Sequence, residues 1–198
     1  MFDPERIFAG EIREGTTDQV ILTVASSARD DNYPAYSLAI AFRCIDPAKT
    51  ETCSYYARML RTGKEPREVI FPLVRKLALA RSDAEARNIL DRAGLEWVET
   101  EMWGCEGAIL AFDAVRKANW TPDLHMYMRE QKPDGEQDIV IHPSIIRVTV
   151  SGDYFTASYK GWVTAAGVPA EVIKLVEVLD KCWKPAKVPP PWRRPGEF

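Results

Sequence analysis

Tyr36-Ser37-Leu38-Ala39-Ile40-Ala41-Phe42-Arg43-Cys44-Ile45 alternates with Leu38, Ile40 and Phe42 on one side, and Asp46-Pro47-Ala48-Lys49-Thr50 then turns the chain. Thr52 to Leu60 returns as a second extended run. A period of two on both sides of a Pro-containing turn specifies an antiparallel hairpin with one buried face. With Pro47 to Thr50 as the loop, Asp46 faces Glu51 and Cys44 lies directly across from Cys53.

Working outward, Arg6 to Arg13 and Val20 to Ser26 read as strands around the turn-like Glu14-Gly15-Thr16-Thr17-Asp18, and Ser26 to Pro34 as a loop. Downstream the period changes. Pro72 suits the first position of a helix and is costly inside one, so a helix is expected from Pro72 to Arg81, with Leu73, Val74, Leu77 and Ala80 on its apolar face. Ser82-Asp83-Ala84-Glu85 has the capping-box pattern, and Gly94 supplies a left-handed stop for the second helix. Leu95 to Trp103 reads as a strand, while Gly107 to Lys117 fits a strand or a short helix.

The C-terminal third returns to hairpins: Asp123 to Glu130 with Asp138 to His142, then Ile145 to Val150 with Tyr154 to Val163 around Ser151-Gly152-Asp153. In the last strand Tyr154, Thr156, Ser158 and Lys160 share one face, and Phe155, Ala157, Tyr159 and Gly161 the other, with one face expected in the core and the other wet. Pro169 opens an amphipathic helix to about Trp183, with Val172, Ile173, Val176 and Leu179 in line. The predicted class is therefore α+β: antiparallel β-meanders packed against two central helices and one C-terminal helix. Residues 1–183 form a single expected domain, with 1–94 and 95–183 as alternative subdomains, and 184–198 form a Pro-rich tail.

The composition is that of a globular chain: 198 residues, 46% hydrophobic and 28% charged, with a net charge of −3. Neither a strongly basic nucleic-acid binder nor a strongly acidic mimic is implied. No apolar run reaches the roughly 18–20 residues of a membrane helix. Met1 to Arg6 lacks the basic-then-apolar layout of a secretory signal, so the expected location is the cytoplasm, with no membrane partner. Cys44, Cys53, Cys105 and Cys182 show no C-x-x-C spacing, and in that compartment reduced thiols are the expected state. Cys105, between Gly104 and Glu106-Gly107, is a weak candidate for an accessible thiol.

Chemistry-bearing constellations are few. A four-residue Lys132–Gly135 loop sets Arg129 opposite Asp138, Met126 and Met128 opposite Ile141 and Ile139, and His125 opposite His142, the only two histidines. Two imidazoles about 5 Å apart at Cβ can share a metal, but a catalytic metal needs a further protein ligand. Solvated, neutral histidines are the favoured reading, and no cofactor is expected. No nucleophile elbow, phosphate loop, dinucleotide fingerprint or zincin motif occurs.

Tyr55, Tyr56, Arg58, Arg61, Lys64 and Arg67 interleave aromatics with cations, a pattern that can hold single-stranded nucleic acid but more often marks a strand end and a basic loop. The six tryptophans read first as core and second as a partner-binding face. Trp192, Arg193 and Arg194 in the tail, with Trp162, are the candidate contacts for a partner protein. The tail can equally fold back, with Trp192 covering an apolar patch of its own domain. The expected function is a non-catalytic interaction module, an inhibitor, immunity-type partner or assembly subunit. A metal-dependent enzyme is the alternative, and a nucleic-acid-associated subunit the lesser one.

Overall fold

A computed structural model describes residues 3–8, 17–27, 34–44, 53–120, 144–152, 156–163 and 166–193. The hairpin around Asp46 to Thr50 is β2 (Pro34–Cys44) and β3 (Cys53–Thr62), paired with Ala41 opposite Tyr56 and Cys44 opposite Cys53. Around it lie β1 (Thr17–Ser27), β4 (Leu95–Glu101), β5 (Ile145–Ser151), β6 (Thr156–Trp162) and the two-residue β7 (Lys184–Pro185). Among the described residues all pair antiparallel in one seven-stranded sheet of order β6-β5-β1-β2-β3-β4-β7. Among the described residues four α-helices accompany it: α1 (Pro66–Ala78), α2 (Asp83–Asp91), α3 (Ala108–Lys117) and α4 (Gly167–Leu179). The α+β class is thus observed, and both halves of the chain feed the same sheet.

Strand alternation divides the interior between two faces. One face carries Leu38 and Ile40 of β2, Ala57 and Met59 of β3, and Ile146, Val148 and Val150 of β5; it packs against Phe112 and Val115 of α3 and Val172, Leu175 and Leu179 of α4. The opposite face carries Ala39 and Ala41, covered by Ile7 and Phe8, and Leu60 and Trp97, covered by α1, α2 and Trp192. In β1 the register shifts between Val20 and Leu22, so Val20 joins the second face and Leu22 the first. The extra residue, Ile21, is a bulge that lets one strand serve both cores.

Several expectations are corrected. The strand expected from Arg6 to Arg13 is not formed over Arg6-Ile7-Phe8, and its remainder lies outside the described residues: Pro4–Arg6 is a 3-10 turn capped by the Asp3 carboxylate, and it sets Ile7 and Phe8 against the sheet. Helix α1 begins at Pro66, not Pro72. Pro66 takes the early position that tolerates a missing N–H, and anchoring of Ile70 and Leu73 carries the helix through Pro72. Its buried stripe is Ile70-Leu73 with half-buried Leu77, which leaves Val74 56% exposed. Gly107 to Lys117 resolves as a helix, entered from Gly107 at φ 82°. Helix α4 starts at Gly167 and ends at Leu179, before Trp183. At α2, Ser82 Oγ accepts the Glu85 amide at 3.2 Å, and Glu85 reaches back to the Arg81 amide at 2.8 Å.

The cysteines are joined in two disulfides, Cys44–Cys53 and Cys105–Cys182, with no free thiol. The first follows from direct opposition in the β2–β3 ladder, where the Cα atoms are 4.0 Å apart. The second ties the turn before α3 to the chain just beyond α4, a sequence separation of 77 residues. Bridges that close loops of such length typically stabilise a fold by about 2–4 kcal/mol. Cys105 is therefore not an available nucleophile in this structure.

Charged pairs follow the same ladder. Arg58, 2% exposed, lies opposite Glu99 and bonds it at 3.0 Å, with the Phe8 ring 4.7 Å from its guanidinium carbon. On the other face Arg61 bonds Glu96 at 2.7 Å and Asp180, just past α4, at 2.6 Å. Tyr36, packed near this cluster, is pushed up to about 12 by burial, a Ser26 hydrogen bond opposing and Asp180 adding. A phenol that keeps its proton more tightly in the folded chain stabilises it fully below its ordinary value of 10.0, and that contribution disappears as pH rises through about 12. Replacing Tyr36 by Phe is expected to flatten the fall in urea midpoint between those two pH values. An unchanged slope in the variant would contradict the burial argument.

Candidate functional site

After β3, Gly63 and Lys64 lead directly into α1, and Gly94 closes α2 at φ 69°, its carbonyl accepting the Gly63 amide at 3.2 Å. This tie holds the two helices side by side over Leu60 and Trp97. Between them runs a groove of about 520 Å³. Its floor is apolar: Val69 and Leu73 from α1, Ile89 and Ala93 from α2 and the turn after it. Its rim is Lys64, Lys76 and Arg92, with Asn88 and a single acid, Glu68. All five rim side chains are exposed.

The charge of the rim is unbalanced for a physical reason. Asp91 is taken by the tail and Glu85 by the helix cap. Among the described residues no carboxylate lies within salt-bridge distance of Lys64, Lys76 or Arg92. The outer flank of α1 adds apolar surface, with Phe71 49% and Val74 56% exposed, and Arg75 sits 5.9 Å from the Phe71 ring centroid. Phe71 and Val74 thus add apolar surface beside a guanidinium along one flank of α1.

The tail behaves differently from a free docking peptide. Ala186 donates its amide to the Trp97 carbonyl at 3.0 Å, and the Trp97 indole donates to the Val188 carbonyl at 3.0 Å. Lys187 donates its amide to Glu99 at 3.1 Å. Trp192, 6% exposed, enters the cluster beneath α1 and α2 and donates its indole N–H to Asp91 at 3.0 Å. Arg193 bonds both oxygens of the same carboxylate, at 2.8 and 2.7 Å, and holds Asp91 below the usual carboxylate range. Of the tail candidates, then, Trp192 and Arg193 are engaged within the chain, and Arg194 lies outside the described residues. Trp162 ends β6 opposite Ile145, at the end of the sheet remote from the tail.

The aromatic-basic run is not brought together as one surface. Alternation sends Tyr55 to the α3 face, 5.4 Å from Phe112, and Tyr56 to the other. Arg58 is buried against Glu99, and Arg61 is held by Glu96 and Asp180. Only Lys64 reaches the groove, with Arg67 on the first turn of α1. His125 and His142 lie outside the described residues. Among the described residues no group of three or more His, Cys, Asp or Glu could hold a metal ion.

Lys76, Arg92 and the groove floor were not singled out by sequence. The signal was present as Val69-Ile70…Leu73 with Ile89…Ala93, but starting the first helix at Pro72 hid its opening turn. No protein-family model, curated protein or solved structure matches the chain.

The tail geometry separates anchor from clasp. Trp192→Ala should cost about 3–5 kcal/mol, the range for emptying a buried tryptophan site. Arg193→Ala should leave stability nearly unchanged, because its ion pair is solvent-exposed. Equal urea midpoints for the two variants would remove Trp192 from the core.

Proposed function

We propose that the protein is a non-catalytic interaction module that docks a partner protein on the face built by α1 and α2. The observation that carries this reading is the helix pair itself. It combines an apolar groove, a rim of unbalanced cations and exposed Phe71 and Val74 on a scaffold clasped from beneath by Trp192. Preorganised backbone lowers the ordering cost of association, and an aromatic beside arginine supplies the usual anchor chemistry. The inhibitor, immunity-type and assembly-subunit readings all fall within this proposal.

The test compares wild type with Phe71→Asp/Val74→Asp and with Lys76→Glu/Arg92→Glu, all at exposed positions, as baits in lysate from the source cells. A stoichiometric protein retained by wild type and lost from both double variants is the expected result. Retention of no macromolecule, or equal retention by all three baits, would sink the reading. Surface substitutions are the right probe, because shortening the chain at Trp183 would remove a core tryptophan along with any docking role.

The compartment is part of the same proposal. No described helix is long and apolar enough to cross a membrane. The cytoplasm expected from sequence sits against two disulfides, which persist where the surroundings are oxidising. We therefore favour work outside the reducing cytosol. Alkylation of thiols in intact cells, followed by non-reducing peptide mapping, should recover Cys44–Cys53 and Cys105–Cys182 as cross-linked peptides. Four alkylated cysteines would return the protein to a reducing compartment.

A further inference from the structure

We infer that the α1–α2 groove receives an acidic segment of the partner carrying one apolar side chain, with carboxylates on Lys64, Lys76 and Arg92 and the apolar group on the floor. The inference rests on the interaction-module reading and specifies the chemistry of its partner.

Charge complementarity is the first argument. From Gly63 to Gly94 seven Lys or Arg stand against five Asp or Glu, in a chain whose net charge is −3. Two of those acids are committed to the tail clasp and the α2 cap. What remains at the groove is three cations against Glu68. Lys64 stands at the entry to α1, Lys76 two turns beyond Glu68 and Arg92 just past the end of α2, so the cations are spread along the groove. A ligand with spaced carboxylates would meet them in succession, whereas a compact anion would meet one at a time.

The floor is the second argument. Val69, Ile89 and Ala93 are half-buried and Leu73 is buried beneath them. They are the upper surface of the cluster whose lower side holds Leu60 and Trp192. An apolar side chain entering here would extend an existing core. A purely polar polyanion such as single-stranded nucleic acid would leave that surface wet, and the groove offers it no aromatic ring for base stacking. Apolar grooves seat the apolar side chains of a docked segment and basic clusters recognise acidic motifs, and this groove offers both features.

The closing experiment is fluorescence anisotropy with full-length protein and three labelled twelve-residue probes. The probes are a Glu-rich peptide with one central Leu, the same peptide with Ala for Leu, and the same peptide with Lys for every Glu. A fourth probe, a single-stranded oligonucleotide of equal charge, tests the other macromolecule class. The Leu-containing acidic peptide should bind most tightly. Its binding should weaken about tenfold in Lys76→Glu/Arg92→Glu and fall with rising salt, as expected for rim charges. The Ala peptide should bind more weakly, and the Lys peptide not at all. Circular dichroism of the double variant secures that its fold is intact.

Equal binding by wild type and the double variant, or preference for the oligonucleotide, overturns the inference. So does indifference to Leu or Ala. If these results come while wild-type bait still retains a protein that the Phe71→Asp/Val74→Asp variant loses, the groove chemistry is wrong and the interaction reading stands. If no macromolecule is retained at all, both fail.

Discussion

The β2–β3 ladder is the constraint on which the rest of the structure depends. Once Cys44 faces Cys53, every residue of β3 is assigned to a face: Ala57 and Met59 to the α3–α4 core, Arg58 and Leu60 to the other. A slip of one residue would exchange those faces and put Arg58 among Leu38, Ile40 and Phe112. Its guanidinium would then be buried without Glu99, a loss of several kcal/mol by the usual cost of an uncompensated charge. The disulfide at the turn end and the Arg58–Glu99 pair in mid-strand therefore enforce one register from two positions.

Burying both faces creates a problem of supply. Helices α3 and α4 cover one face, and the Cys105–Cys182 bridge ties the turn before α3 to the chain just past α4. The opposite face is assembled from separate pieces: Ile7 and Phe8, the α1–α2 pair and the tail. Asp180 illustrates how tightly the pieces are coupled. A carboxylate at a helix C-terminus is unfavourable against the helix dipole, and Arg61 from β3 and the Trp183 indole offset it.

Legibility followed the range of the interactions involved. The β2–β3 register, the α2 cap and the alternation of burial along Thr156 to Lys160 of β6 rest on local pattern, and each follows from periodicity or capping chemistry. The joining of β5 to β1 is a long-range pairing with no local signature. Pro72 misled because position-specific cost was weighed without the anchoring of Ile70 and Leu73 that offsets it. The disulfides were discounted on compartment rather than on register, although the register already placed Cys44 beside Cys53. Trp192 was equally consistent with docking out or folding back, since only the location of Asp91 and Leu90 decides between them.

The same division explains why the groove lies where it does. The α3–α4 side is closed by a large continuous core and a disulfide, and among the described residues its exposed large apolar side chains are Trp103 and Leu110. The α1–α2 side is a two-helix patch laid on a sheet, with only Ile70, Leu73 and Leu90 fully buried along both helices. Two helices that contact the sheet by so narrow a stripe leave their facing flanks partly unfilled. Trp192 fills the space beneath, and Asp91 is consumed in holding it. The cost of that clasp is charge balance: with Asp91 neutralised from below, the upper rim of the helix pair is left cationic. The tail thus shapes the groove without lining it.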